Sequence, residues 1–139
     1  KPGLEMAELG KAPQERIKAG IPSFASAKNP IDLTATSTPE MIDEVLKELQ
    51  KGENVDGILM FTSPQPPLPL TREQIEVVVK WAYKGKPMVV GTVENRWTTE
   101  GIREYARLGV PVFPSIERAV KAMQVLVERG KYLKNCQEK

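Results

Sequence analysis

Short apolar runs alternate with amphipathic helical periods along this chain, and that alternation leaves few folds open to it. The runs read as strands at Leu4–Leu9, Ile31–Leu33, Val55–Phe61, Pro87–Gly91 and Val110–Phe113. The first alternates, with Leu4, Met6 and Leu9 apolar and Ala7 between. Ile58, Leu59, Met60 and Phe61 are instead consecutive apolar residues, the composition of a strand buried on both faces in the middle of a parallel sheet.

The helical periods lie between the strands. Ala12–Ala19 reads as a short helix opened by Pro13 and closed by Gly20, with Pro22 just beyond. Over Pro39–Gln50, Met41, Ile42, Val45, Leu46 and Leu49 share one face, and Asp43, Glu44, Lys47 and Glu48 take the other. Its start admits two caps: Thr38 followed by Pro39, or Ser37 with Glu40 closing a capping box. Gly52 stops it. Thr71 caps a helix to about Tyr83 with Ile75, Val78, Val79 and Ala82 inward, and Thr98 or Thr99 caps one with Ile102, Tyr105 and Ala106 inward. Pro114 and Ser115 open a last helix whose buried stripe is Ile116, Ala119, Val120, Met123, Leu126 and Val127, with Gly130 at its end. Trp81, Tyr83 and Tyr132 read as packing residues on these helices.

Strands alternating with helices over short connections specify an α/β domain with a mostly parallel sheet, in the flavodoxin-like three-layer manner. Right-handed crossovers gather the strand-to-helix loops at one sheet edge, where ligands of such sheets sit. The expected functional surface is therefore built from residues 34–38, 62–70, 93–97 and 113–115. In the first of these loops Asp32 leads into the hydroxyls of Thr34, Thr36, Ser37 and Thr38, immediately before a helix N-terminus. Backbone N–H groups and hydroxyls there suit a phosphate or carboxylate. The same residue types also serve local Asx turns and helix caps, so both readings stand. Asn29 would hold the loop through its amide. In the second loop Thr62 and Ser63 precede prolines 64, 66, 67 and 69, which exclude helix and interior strand and stiffen a surface wall. The third joins Glu94, Asn95 and Arg96 to Trp97, with Arg96 suited to an anion and Trp97 to an apolar face.

Composition narrows the partners. The 139 residues fit a single domain, and a net charge of +2 on 27% charged residues gives no footprint for nucleic acid or an anionic membrane. No run is long enough to span a bilayer, and the residues show no signal-peptide pattern. The single Cys136 excludes a disulfide framework and suits a reduced, cytoplasmic setting. The sequence has no histidine, which removes a His-based triad, a His metal site and a phosphohistidine on this chain. It opens on Lys1 directly before a strand-like run, which gives the look of a piece cut from a longer polypeptide.

Asn29-Pro30-x-Asp32-Leu33-Thr34, Thr38-Pro39-Glu40, Asn54-Val55-Asp56, Lys86-Pro87, and Gly109-Val110-Pro111-Val112 with Glu117-Arg118-Ala119-Val120 follow one another over residues 3–133. In order and spacing they resemble the last α/β domain of the ADP-forming acyl-CoA synthetases, the acetate–CoA ligases related to succinyl-CoA synthetase. The resemblance implies a succinyl-CoA synthetase-like, flavodoxin-like domain over residues 1–133, with 134–139 as a polar tail. It implies a further central strand, glycine-rich loop and helix ahead of Gly3 that this chain lacks. The implied reaction converts acyl-CoA, ADP and phosphate to acid, CoA and ATP through an acyl phosphate and a phosphohistidine carried outside this chain. This chain would bind no cofactor itself, while the complete enzyme uses CoA, ADP or ATP, and Mg. Its partners would be a CoA-binding Rossmann-like domain, a histidine-bearing flavodoxin-like domain and an ATP-grasp domain or subunit, in an oligomer. The segment around Glu94–Trp97 departs from the family's glycine-containing pattern. A non-catalytic flavodoxin-like regulatory or assembly module is the alternative. A flavin- or phosphate-binding flavodoxin is a weaker one, because the hydroxyl loop does not follow a first strand and lacks the glycine of such loops. A receiver domain fails for want of an acidic cluster and a late lysine at a strand end.

Overall fold

The computed structural model describes residues 3–64, 70–93, 95–96 and 98–137. Its order is α1 (Lys11–Gly20), α2 (Pro39–Lys51), β1 (Ile58–Thr62), α3 (Arg72–Ala82), β2 (Met88–Thr92), α4 (Thr99–Arg107), β3 (Val112–Phe113) and α5 (Ile116–Gln137). The strands are parallel and stand in the order β1-β2-β3, with Ile58 opposite Met88 and Val90 opposite Val112. An α/β fold with a parallel sheet is thus present, and helices cover both of its faces.

The two faces follow from the period of two along each strand. Ile58, Met88 and Val90 point into a core built with Ile42, Val45 and Leu46 of α2, Ile75 and Val78 of α3, and Tyr105 of α4. Leu9 and Ile17 of the α1 region join that core. Val89 points the other way, to Ala119 and Met123 of α5. Gly91 lets α5 settle on this side, since a Cβ there would stand 3.0 Å from the Ala119 methyl.

Local signals set the helix ends. Thr38 caps α2 by accepting the Met41 N–H at 3.3 Å, so the Thr38–Pro39 start is the one used and the Ser37 alternative is not. Gly52 follows α2 and donates to the Glu48 and Leu49 carbonyls, while Lys86 Nζ donates to the Leu49 and Gly52 carbonyls. Thr71 and Gln74 form a reciprocal capping box on α3. Gly109 turns the chain out of α4 at φ +77°, under the Tyr83 hydroxyl that donates to Leu108 O at 2.8 Å.

Several sequence expectations need correction. Residues 4–9 form no strand. Their carbonyls are taken by side chains instead of a neighbouring strand: Ala7 O by Asn29 Nδ2 at 2.9 Å, Glu8 O by Asn54 Nδ2, and Leu9 O by Gln14 Nε2 at 2.6 Å. Ile31–Leu33 is no sheet strand either; Asp32 makes one antiparallel bridge to Ser26, with both backbone bonds at 3.0 Å. The apolar run at 58–61 lies at the end of the strand order, and the fully buried strand in the middle is β2. Leu59 and Phe61 stay 37% and 46% exposed, because α5 buries its side chains over β2. Glu48, expected on the solvated face of α2, is buried, with Arg16 Nε and Nη2 donating to its Oε2 at 2.8 and 2.6 Å. The helix at 116 does not stop at Gly130. Glycine costs a helix about 1 kcal/mol without barring it, and α5 continues through Cys136 to Gln137, so residues 134–137 are helical. Of its expected stripe only Ala119 and Met123 are buried, while Ile116 and Leu126 are exposed. On α4, Tyr105 is buried but Ala106 is not.

Candidate functional site

Because β1, β2 and β3 are parallel, their carboxyl ends share one edge. Thr62 and Ser63 follow β1 there, Val93 and residues 95–96 follow β2, and Pro114 and Ser115 follow β3. The hydroxyl loop before α2 reaches the same edge through α3. Gln74 Nε2, in the first turn of α3, donates to Ser37 O at 2.7 Å, and at the opposite helix ends Gln50 Nε2 donates to Trp81 O at 3.2 Å. These two bonds hold α2 and α3 side by side in the same direction, so both N-termini open onto the strand ends. Asp43 braces them midway. Its Oδ1 accepts Trp81 Nε1 at 2.6 Å and Lys80 Nζ at 2.5 Å, and the lysine holds its carboxyl below the usual range.

Inside the hydroxyl loop the bonds are local. Asp32 Oδ1 accepts the Thr34 N–H at 2.8 Å, and the Thr34 and Thr36 hydroxyls lie 3.1 Å apart. The Thr36 N–H points at Thr34 Oγ1 at 3.4 Å. Thr34 adopts φ +62°, a left-handed conformation that a β-branched residue adopts only where surrounding bonds enforce it. Asn29 does not hold this loop: its amide reaches back to Ala7 O. Asp32 and Thr36 are exposed; Thr34, Ser37 and Thr38 are half-buried.

The β2–α4 turn is closed by Thr98. Its hydroxyl accepts the Asn95 N–H at 2.9 Å and donates to Val93 O at 2.7 Å, while Asn95 Oδ1 accepts the Thr98 N–H at 3.2 Å. Thr98 therefore stands at the N-cap of α4 but spends its hydroxyl on the turn, and Thr99 Oγ1 donates to Asn95 O at 2.9 Å. Arg96 is exposed at this edge. Glu94, Trp97 and residues 65–69, with three of the four prolines of their loop, lie outside the described residues.

The structure thus brings Thr34, Thr36, Ser37, Thr38, Thr62, Ser63, Asn95 and Arg96 to one edge and sends Asn29 away from it. The sequence reading missed Gln74, which joins the first two loops. Its signal was legible: Thr71-Arg72-Glu73-Gln74 is a capping-box pattern. Hydroxyls and helix N-termini suit an anion. Among the described residues no group of three acidic or cysteine side chains is placed to hold a metal ion. Among the described residues, too, no helix is long and apolar enough to cross a membrane.

No protein-family model matches the chain. It is similar to a trans-feruloyl-CoA synthase from an unknown prokaryotic organism, 29% identical over 135 residues, which cover 93% of this chain and 19% of that protein. It is 28% identical over 122 residues to the alpha subunit of ADP-forming acetate–CoA ligase I from Pyrococcus furiosus, covering 86% of this chain and 26% of the subunit. Among solved structures, a Pyrococcus horikoshii OT3 protein superimposes with a TM-score of 0.83 at 24% identity, over 93% of this chain and 31% of that one. The dinucleotide-forming acetyl-coenzyme A synthetase 1 of Ca. Korarchaeum cryptofilum, in complex with phosphate and ADP, superimposes with a TM-score of 0.76 at 23% identity, over 90% of this chain and 27% of that one. The chain spans between 19% and 31% of the length of these relatives. Most of the chain is matched each time, and its homologues are alpha subunits of ADP-forming acetate–CoA ligases together with a feruloyl-CoA synthase.

Proposed function

We propose that this chain is a supporting domain of a cytoplasmic ADP-forming acyl-CoA synthetase, an enzyme that converts acyl-CoA, ADP and phosphate to acid, CoA and ATP. The observation that carries this is that 86–95% of the chain matches acetate–CoA ligases and a feruloyl-CoA synthase. The shared edge gives the reading a physical basis. Thr34, Thr36, Ser37 and Thr38 stand at one helix N-terminus, Thr62 and Ser63 lead toward a second, and Asn95 and Arg96 stand before a third. Such fixed donors stabilise charge developing on a phosphoryl or acyl phosphate group, because they need no reorganisation as it forms. The chain has no histidine and so carries no phosphohistidine of its own; the resemblance implies that CoA, nucleotide, Mg and the phosphorylated histidine belong to other domains or subunits. Phe61 and the exposed apolar positions of α5, Leu126 and Leu133, offer those partners a surface.

The test is ATP formation from acyl-CoA, ADP and phosphate by the complete gene product. A Thr36→Ala/Ser37→Ala variant should lower kcat about 10-fold or more if the loop meets the reacting phosphate, with the far-UV spectrum and melting temperature unchanged. Failure to form ATP from acetyl-, aryl- or branched acyl-CoA would overturn the ligase reading. Wild-type kcat in the double variant would leave the ligase and remove the loop from its site.

A further inference from the structure

Two buried hydroxyls at the sheet's carboxyl edge find no partner among the described residues: Thr92 Oγ1 at the end of β2 and the Tyr105 hydroxyl on α4. Their residues are 2% and 1% exposed. Both line one cavity of about 10 Å³, bounded also by Thr62, Leu70, Ile102 and Val112. Thr62 and Thr98 are the other hydroxyl residues on its wall, and the Thr98 hydroxyl is committed to Val93 O and the Asn95 backbone. Buried polar groups are nearly always satisfied, and an orphaned hydroxyl is costly. The cavity has the room of a single water, about 10–15 Å³. Among the described residues no charged side chain lines it, and its hydroxyls suit a neutral donor and acceptor.

We propose that this cavity holds one ordered water that bridges the Thr92 and Tyr105 hydroxyls and fastens the carboxyl end of β2 to α4. Either hydroxyl donates or accepts, so one water serves both. The bridge spans the 93–98 turn, which carries Asn95 and Arg96, and sets how that turn leaves the sheet. It stands apart from the acyl-CoA reading and would hold in a binding module equally well.

A crystal structure fine enough to show waters tests it directly. The expected result is one peak within about 3.2 Å of both oxygens; an empty cavity, or a peak bonded to one hydroxyl alone, would overturn it. Thermal melting of Thr92→Val, Tyr105→Phe and the double variant is the second measurement. With a shared water each single change lowers the melting temperature, and the double lowers it by less than the sum, because both delete the same bridge. If the hydroxyls are orphans, Tyr105→Phe melts at or above the wild-type temperature, and the proposal fails.

Discussion

The two faces of the sheet are built from the same strands and finished to different degrees. Toward α2, α3 and α4 the strands bury Ile58, Met88 and Val90 in a core that also takes in Leu9 and Ile17. Toward α5 the buried cluster is Val89, Ala119 and Met123. Leu126 and Leu133 prolong the Ala119 row at intervals of seven, yet both are exposed, and so is Phe61 at the carboxyl end of β1. The apolar pattern is present on both faces; what differs is whether a second element lies opposite. A stripe of this kind specifies which side of a helix seeks cover, and packing supplies the energy only where cover exists.

The sharpest way to break that comparison uses neighbours in one strand. Ile58 is 4% exposed and Leu59 is 37% exposed on the opposite face. Ile58→Ala should cost about 2–5 kcal/mol in denaturant unfolding, through lost burial and a cavity. Leu59→Ala should cost less than half of that. Equal losses would mean that the α5 face is as well covered as the other.

Next comes the turn that ends α4. Gly109→Ala places a methyl against the Tyr83 hydroxyl in a left-handed backbone. The expected loss is about 1–2 kcal/mol. Tyr83→Phe should recover little of it, because the backbone penalty stays.

The brace between α1 and α2 responds to pH. The Arg16 guanidinium holds the Glu48 carboxyl below the usual carboxylate range, against a smaller opposing effect of burial. A folded value below the unfolded one, about 4.3, means that the pair stabilises above that pH and that its contribution is lost as pH falls through the folded value. Glu48→Gln should therefore melt below wild type at pH 7, and the gap should close on acidification below about pH 4. A gap independent of pH would show that packing, not charge, is what the substitution removes.

The smallest effect belongs to the site edge. Thr38→Ala removes the α2 cap and should cost about 1 kcal/mol. A much larger loss would mean that the hydroxyl loop is tied to α3 more firmly than the Gln74–Ser37 bond suggests.

Much of this was legible beforehand. The α2 start to within one residue, the inward positions Ile42, Val45 and Leu46, the fourfold apolar run at 58–61 and the gathering of loops at one edge follow from residue type and period. The failures share a cause. Residues 4–9 and 31–33 have strand composition, but a strand needs a partner ladder, and their backbone bonds go to side chains and one local bridge. Glu48 looked solvated because its period places it with Glu44 and Lys47, and only the approach of α1 brings Arg16 to it. Asn29 was assigned to its own loop, since sequence distance gives no hint that Ala7 lies within reach.

What the sequence by itself determined is local: helix caps, amphipathic faces, turn residues, and the order of elements that makes a parallel α/β sheet and resembles the acyl-CoA synthetases. Tertiary structure decided which apolar run sits in the middle, which acid is buried, and which loops share an edge through Gln74. It also placed Thr92 and Tyr105 on one cavity, thirteen positions apart in the chain. The physical reason is that propensity and periodicity act over one or two turns of chain, whereas burial, ion pairing and hydroxyl satisfaction depend on which distant segment arrives opposite.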